Sequence, residues 1–194
     1  MKSICVFCAA SPGFNPVYRQ TAAAMGAAIA RAGMQLVYGG GVIGLMGALA
    51  DGALAAGGQV IGVIPDMLMK KEVGHRGIAR LEVVRSMHER KARLAELADA
   101  FIAMPGGYGT FEELCEMVTW AQLGLHSKPC CLLNTEGFFD SFLALVDRAV
   151  REGFIKPDNR GLITSAAAPE EALAVIANYA PPAKVEKVIN LAAT

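Results

Sequence analysis

Short apolar runs alternate along the chain with longer segments whose apolar positions recur at helical spacing. The runs predict β-strands near residues 3–9, 34–38, 59–64, 80–85, 99–104 and 128–134, with a seventh at 162–164. Helices are expected over 15–32, 44–57, 86–98, 110–124, 138–152 and 169–180, while 66–79 reads as an irregular, charged crossover. Such alternation predicts an α/β fold, a doubly wound parallel sheet with helices on both faces. Continuous apolar runs such as Val60-Ile61-Gly62-Val63-Ile64 suit strands buried on both sides. No repeat or linker interrupts the pattern, so residues 1–194 are expected to form a single domain. Ligands of such a sheet sit at the carboxyl ends of its strands.

Composition narrows the classes. Eighteen Lys and Arg balance eighteen Asp and Glu. A chain without basic excess lacks the footprint of a nucleic-acid or anionic-membrane binder. Ala32 to Ala50 is 19 residues without charge, but six glycines and Gln35 divide it into strand, loop and helix rather than a membrane span. The five cysteines are odd in number and no clear export signal precedes the pattern, which points to a reducing cytoplasm. Cys5 and Cys8 form a lone C-x-x-C within an apolar strand, read as packing rather than redox chemistry, and Cys115, Cys130 and Cys131 are read the same way. With histidines only at 75, 88 and 126, zinc-site spacing is missing, so no metal and no cofactor is called for.

Three places can carry chemistry. Pro105-Gly106-Gly107-Tyr108-Gly109-Thr110 joins an apolar strand to a helix, where backbone N–H groups and the helix dipole converge on an anion. Glu112 and Glu113 follow at once; Thr110-x-x-Glu113 spells a capping box, whereas Glu112 has no such alternative. Ser86-Met87-His88-Glu89 spells another capping box, and Arg90 and Lys91 then oppose the dipole of their helix, so their placement suggests an anion nearby. Gly39, Gly41 and Gly44, with Asp66 further on, spell a dinucleotide fingerprint, which keeps an NAD(P)-binding oxidoreductase as a rival reading.

These residues resemble the LOG (Lonely Guy) family of cytokinin riboside 5′-monophosphate phosphoribohydrolases. The likeness runs from Val6-Phe7-Cys8 through Tyr38-Gly39-Gly40-Gly41 and Gly44-Leu45-Met46-Gly47 to Glu152-Gly153-Phe154. Its most specific parts are Met87-His88-Glu89-Arg90-Lys91, the run PGGYGTFEE at 105–113, and Thr119-Trp120-Ala121-Gln122-Leu123-Gly124. The resemblance implies a Rossmann-like homodimer that splits the N-glycosidic bond of a nucleoside 5′-monophosphate, AMP included, into free base and ribose 5-phosphate. It also implies ligand contacts at Glu72, Arg90, Lys91, Gly106, Gly107, Tyr108, Gly109, Thr110, Phe111, Glu112 and Thr119. Where the family commonly has Cys-Gly-Ser-Ser, this chain has Cys8-Ala9-Ala10-Ser11, which leaves Ser11 as the candidate phosphate contact of that loop. Some relatives carry a lysine decarboxylase label, for which the chain offers no recognisable pyridoxal phosphate site.

The mechanism expected from this reading places the 5′-phosphate on Gly106 to Thr110, lets Arg90 orient the nucleotide, and assigns the sugar to Glu113 or Glu112. Met87, Met104 and Trp120 are candidate walls for the base. The alternative to an enzyme is a carrier that holds a nucleotide, or a molybdenum cofactor, without consuming it.

Overall fold

The computed structural model describes residues 1–72, 74–75 and 77–182, and of residues 70–72 the backbone alone. Seven strands, β1 (Ser3–Phe7), β2 (Gln35–Tyr38), β3 (Val60–Pro65), β4 (Arg80–Val84), β5 (Ala100–Ala103), β6 (Cys130–Leu133) and β7 (Ile163–Ala166), form one sheet. Their order is β4-β3-β2-β1-β5-β6-β7 and every neighbouring pair is parallel. This is a single α/β domain of Rossmann-like form. Parallel neighbours need crossovers, and these carry α1 (Pro16–Arg31), α2 (Gly44–Ala55), α3 (Asp66–Glu72), α4 (Met87–Leu97), α5 (Tyr108–Gln122) and α6 (Asp140–Arg151), while α7 (Pro169–Ala177) follows the last strand.

Side chains alternate across the strands, so one sequence feeds two cores. Ile4, Val6, Leu36, Tyr38 and Ile102 pack with α1, α2 and α7, whereas Cys5, Phe7, Val37, Phe101 and Leu132 pack with α4, α5 and α6. Cys5 and Cys8 therefore belong to opposite cores and are both free thiols, which removes any redox pairing between them. Cys130 and Cys131 are buried as expected, but Cys115 is exposed on α5, a correction to its reading as a packing residue.

Two other expectations change. The crossover read as irregular holds α3, a short helix opened by Asp66. The sequence Asp-Met-Leu-Met-Lys-Lys-Glu is made of good helix formers, and its charged end masked the turn of apolar residues before it. Helix α5 begins at Tyr108 with Gly107 as its N-cap, two residues ahead of the expected start. Thr110 thus lies inside the first turn, and the capping box proposed for Thr110 and Glu113 does not form. The box at α4 does: Ser86 Oγ accepts from Glu89 N–H at 3.1 Å, and Glu89 returns a bond to the N–H of Arg85, one residue before the cap.

The chain switches direction across the sheet between β1 and β5. The loops that leave those strands diverge to opposite faces and open a crevice, the place where ligands of open α/β sheets bind.

Candidate active site

A cleft of about 350 Å³ occupies that crevice. Its floor comes from the ends of β1 and β2, one wall from the first turn of α5, the other from Met87 and Arg90 on α4 and Leu68 on α3. The first bond within α5 runs from the Phe111 N–H to the Gly107 carbonyl at 3.1 Å. The N–H groups of Tyr108, Gly109 and Thr110 accordingly have no carbonyl within the helix, and among the described residues no side chain caps them. An anion is the partner such a turn favours. A Cβ on Gly107 or Gly109 would meet nothing within 4 Å, so these glycines leave their side of the cleft open. Gly106 is different: its Cβ would lie 2.2 Å from Thr110 Oγ1, so only glycine lets the threonine fold back beneath the loop.

The helix that spells the dinucleotide fingerprint is closed by contrast. The N–H groups of Leu45 and Met46 both donate to the Ala9 carbonyl, at 3.1 and 3.3 Å. A Cβ on Gly44 would sit 2.2 Å from the Ala10 carbonyl oxygen. The α2 N-terminus is thus spent on the β1 loop, and its glycines serve backbone packing rather than a pyrophosphate. Asp66 opens α3 and is exposed.

Beneath the α5 turn lie Arg90 and Glu113, both buried. Arg90 is pinned from behind: Nε donates to the Val63 carbonyl at 3.2 Å and Nη2 to the Gly39 carbonyl at 3.3 Å. Nη2 is also 3.8 Å from Glu113 Oε1, an ion pair slightly too long for a hydrogen bond. The remaining guanidinium donors of Arg90, beside the Met87 sulfur, stay available to an incoming oxygen. Burial pushes the Glu113 carboxyl up to about 7; Arg90 and Lys91 pull it down, while Glu112 and Glu116 add to the rise. This acid is poised to exchange a proton near neutrality.

Lys91 points away from the cleft, into the α4–α5 junction, where it pairs with Glu112 and, at 3.1 Å, with Glu116. Glu112 lines the cleft edge with its side chain half exposed. Of the residues expected at the ligand, Ser11, Arg90, Gly107, Gly109, Thr110, Glu112 and Glu113 line one cleft. Gly106 lines an adjoining hollow of about 210 Å³ with Tyr18 and Phe138. Tyr108 is turned out to solvent, and Phe111 packs in an aromatic cluster with Phe138, Phe139 and Phe142. Thr119 is exposed and donates to the Cys115 carbonyl of its own helix. In one chain, then, Lys91, Tyr108, Phe111 and Thr119 do not line the cleft; Glu72 lies outside the described side chains. Among the candidate base walls only Met87 lines it, since Met104 is fully buried and Trp120 packs against the α5 core. Cys8, Gly39 and Met46 also line it without having been expected there. The carbonyls that hold Arg90 carry no side-chain signal by which sequence could reveal them.

Fold and site together define a Rossmann-like α/β protein with an open helix N-terminus above a buried glutamate–arginine pair. The chain is 47% identical over 189 residues to cytokinin riboside 5′-monophosphate phosphoribohydrolase LOG1 of Arabidopsis thaliana, covering 97% of this chain and 88% of that protein. It is 48% identical to LOG, of the same description, from Oryza sativa subsp. japonica, over 93% of this chain and 74% of that one. The chain belongs to the family of cytokinin riboside 5′-monophosphate phosphoribohydrolases. Residues 46–176 also match the model of a family described as "Possible lysine decarboxylase". Among solved structures, the molybdenum cofactor carrier protein of Chlamydomonas reinhardtii superposes with a TM-score of 0.69 at 24% identity, over 91% of this chain and 95% of that one. The molybdenum cofactor binding protein of Rippkaea orientalis gives 0.66 at 21%, over 90% and 93%. These likenesses show the fold. Among the described residues no helix is long and apolar enough to cross a membrane.

Proposed function

We propose that this chain hydrolyses the N-glycosidic bond of cytokinin nucleoside 5′-monophosphates, and of AMP, releasing the base and ribose 5-phosphate. The observation that carries the reading is the buried Arg90–Glu113 pair directly beneath the open first turn of α5. The 5′-phosphate docks on the N–H groups of Tyr108, Gly109 and Thr110, with Ser11 at the rim. Arg90, held in place by two carbonyls, orients the nucleotide through its free donors. Cleavage builds positive charge on the ribose as the base leaves with the electron pair of the C–N bond and takes up a proton from solvent; the Glu113 carboxylate stabilises that charge and takes a proton from the water that attacks the sugar. Glu113 is preferred to Glu112, whose charge Lys91 already engages. The same clamp makes Lys91 unsuited to a Schiff base, since burial alone would lower it but its two carboxylate partners hold the ammonium above the ordinary lysine range.

The five free thiols are consistent with a cytoplasmic protein. A homodimer would use surface such as the exposed side of α5, where Tyr108, Cys115 and Thr119 lie.

Incubation with AMP and with an N6-prenylated AMP, followed by chromatography, is expected to yield free base from at least the prenylated compound. Arg90→Ala should lower kcat/KM by about one to two orders of magnitude, the loss of a charge-assisted hydrogen bond. Glu113→Gln should bind nucleotide and release almost no base. Intact nucleotide bound by the wild-type chain, with no base from either compound, would replace the enzyme by a carrier; specific NAD(P) binding would restore the oxidoreductase.

A further inference from the structure

Two adjacent cations of α4 divide three carboxylates of α5. Arg90 faces Glu113 at 3.8 Å, while Lys91 contacts Glu112 and lies 3.1 Å from Glu116 Oε2. The Glu116 contact is an ion pair without hydrogen-bond alignment, and that oxygen, itself buried, has no hydrogen-bond partner among the described residues. The Lys91 side chain is 7% exposed, against 25% for Glu116 and 52% for Glu112. A buried ammonium with one carboxylate would follow that carboxylate; with two on the same helix, one turn apart, it is fixed between them. Fully ionised, the five groups carry two positive and three negative charges. The excess bears on the deepest carboxyl, Glu113, which burial pushes up to about 7 and to whose rise Glu112 and Glu116 add.

We propose that Glu116, outside the cleft, is a positioning residue of the hydrolysis: it anchors Lys91 in the α4–α5 junction, so that Lys91 holds Glu112 at the cleft edge and leaves Arg90 as the cation that faces Glu113. This rests on the reading that Glu113 works at the sugar. The charged groups that bear on Glu113 are Arg90 and Lys91 from α4 and Glu112 and Glu116 from α5; the nearby thiols, Cys5 on β1 and Cys8 just after it, are held neutral by burial.

The test is the acid limb of the pH dependence of base release. In Glu116→Gln a negative charge near Glu113 is gone, so the limb should move down by about half a pH unit or more, with kcat reduced about three- to tenfold and KM nearly unchanged. Lys91→Gln removes the cation at the other end of the same contact and should move the limb up. Glu116→Asp keeps the charge and should keep the limb within about 0.2 unit of wild type. Shifts of equal sign in the two glutamine variants, or none, overturn the proposal. Should Glu116→Gln not fold, Lys91→Gln decides, a limb unmoved or lowered counting against it. A wild-type chain that releases no base fails the reading of Glu113 instead, so the two failures are distinct.

Discussion

Glu113 holds its proton near neutrality because burial strips most of the water from its charge and its arginine lies just out of hydrogen-bond range. In the proposed mechanism the ionised form acts, so base release should rise with pH and reach half its plateau near 7. A kcat/KM profile across neutrality checks this; the substrate phosphate, with a second ionisation at about 6, adds a separate inflection below it. A profile already flat at pH 5 would mean that Glu113 is not the group that must ionise. Sequence brought Arg90, Glu112 and Glu113 to notice because cations near a helix start and acids near a phosphate loop are each out of place without a partner. It left the two glutamates unresolved. Adjacent residues on a helix are about 100° apart, and which of them turns inward depends on where α4 lies, a tertiary fact.

At the level of elements, the alternation of apolar strand and amphipathic helix was legible except at α3, as was the cap with a side-chain signal at α4, Ser86. The start of α5 was not. Its cap is a glycine that contributes no side-chain bond, and a threonine two residues into the helix imitated one. The glycines of α1 and α2 have a role that spacing alone did not reveal. A Cβ on Gly26 would lie 2.0 Å from the Leu49 carbonyl oxygen, and one on Gly52 2.1 Å from that of Ala23, so the two helices touch backbone to backbone. Neither atom is the tip of a flexible side chain, and the helices must separate to admit a methyl. Gly26→Ala is therefore expected to destabilise the chain by about 2–4 kcal/mol, despite the better helix propensity of alanine. Denaturant unfolding reads the loss. Base release per folded molecule should hardly change, because α1 contributes no residue to the cleft; stability equal to wild type would show that the helices part without cost.

Across the whole molecule, strand order decides what meets. β1 and β5 are far apart in sequence yet neighbours in the sheet, and their loops are joined where the Ala9 N–H approaches the Pro105 carbonyl at 3.4 Å. Periodicity predicts that strands exist, not their order, so the cleft's membership could be inferred only from the general rule that ligands bind at strand ends. The same packing that buries the Glu113 carboxyl opposes folding with that group ionised. Below about pH 4.5 the carboxyl is protonated in both the folded and the unfolded chain and contributes nothing to the difference. From there to about 7 the unfolded chain releases the proton and the folded chain keeps it, so stability falls through this window and levels off above it. The full span corresponds to about 3 kcal/mol as an upper figure. Glu113→Gln keeps the shape of the protonated form and removes the titration. It should match wild type at acid pH and become progressively more stable than wild type as pH rises to neutrality, the reverse of its effect on catalysis. Urea unfolding of both chains at intervals from pH 4.5 to 8 measures the gap directly; a gap that stays constant over that range would place the Glu113 carboxyl in contact with water.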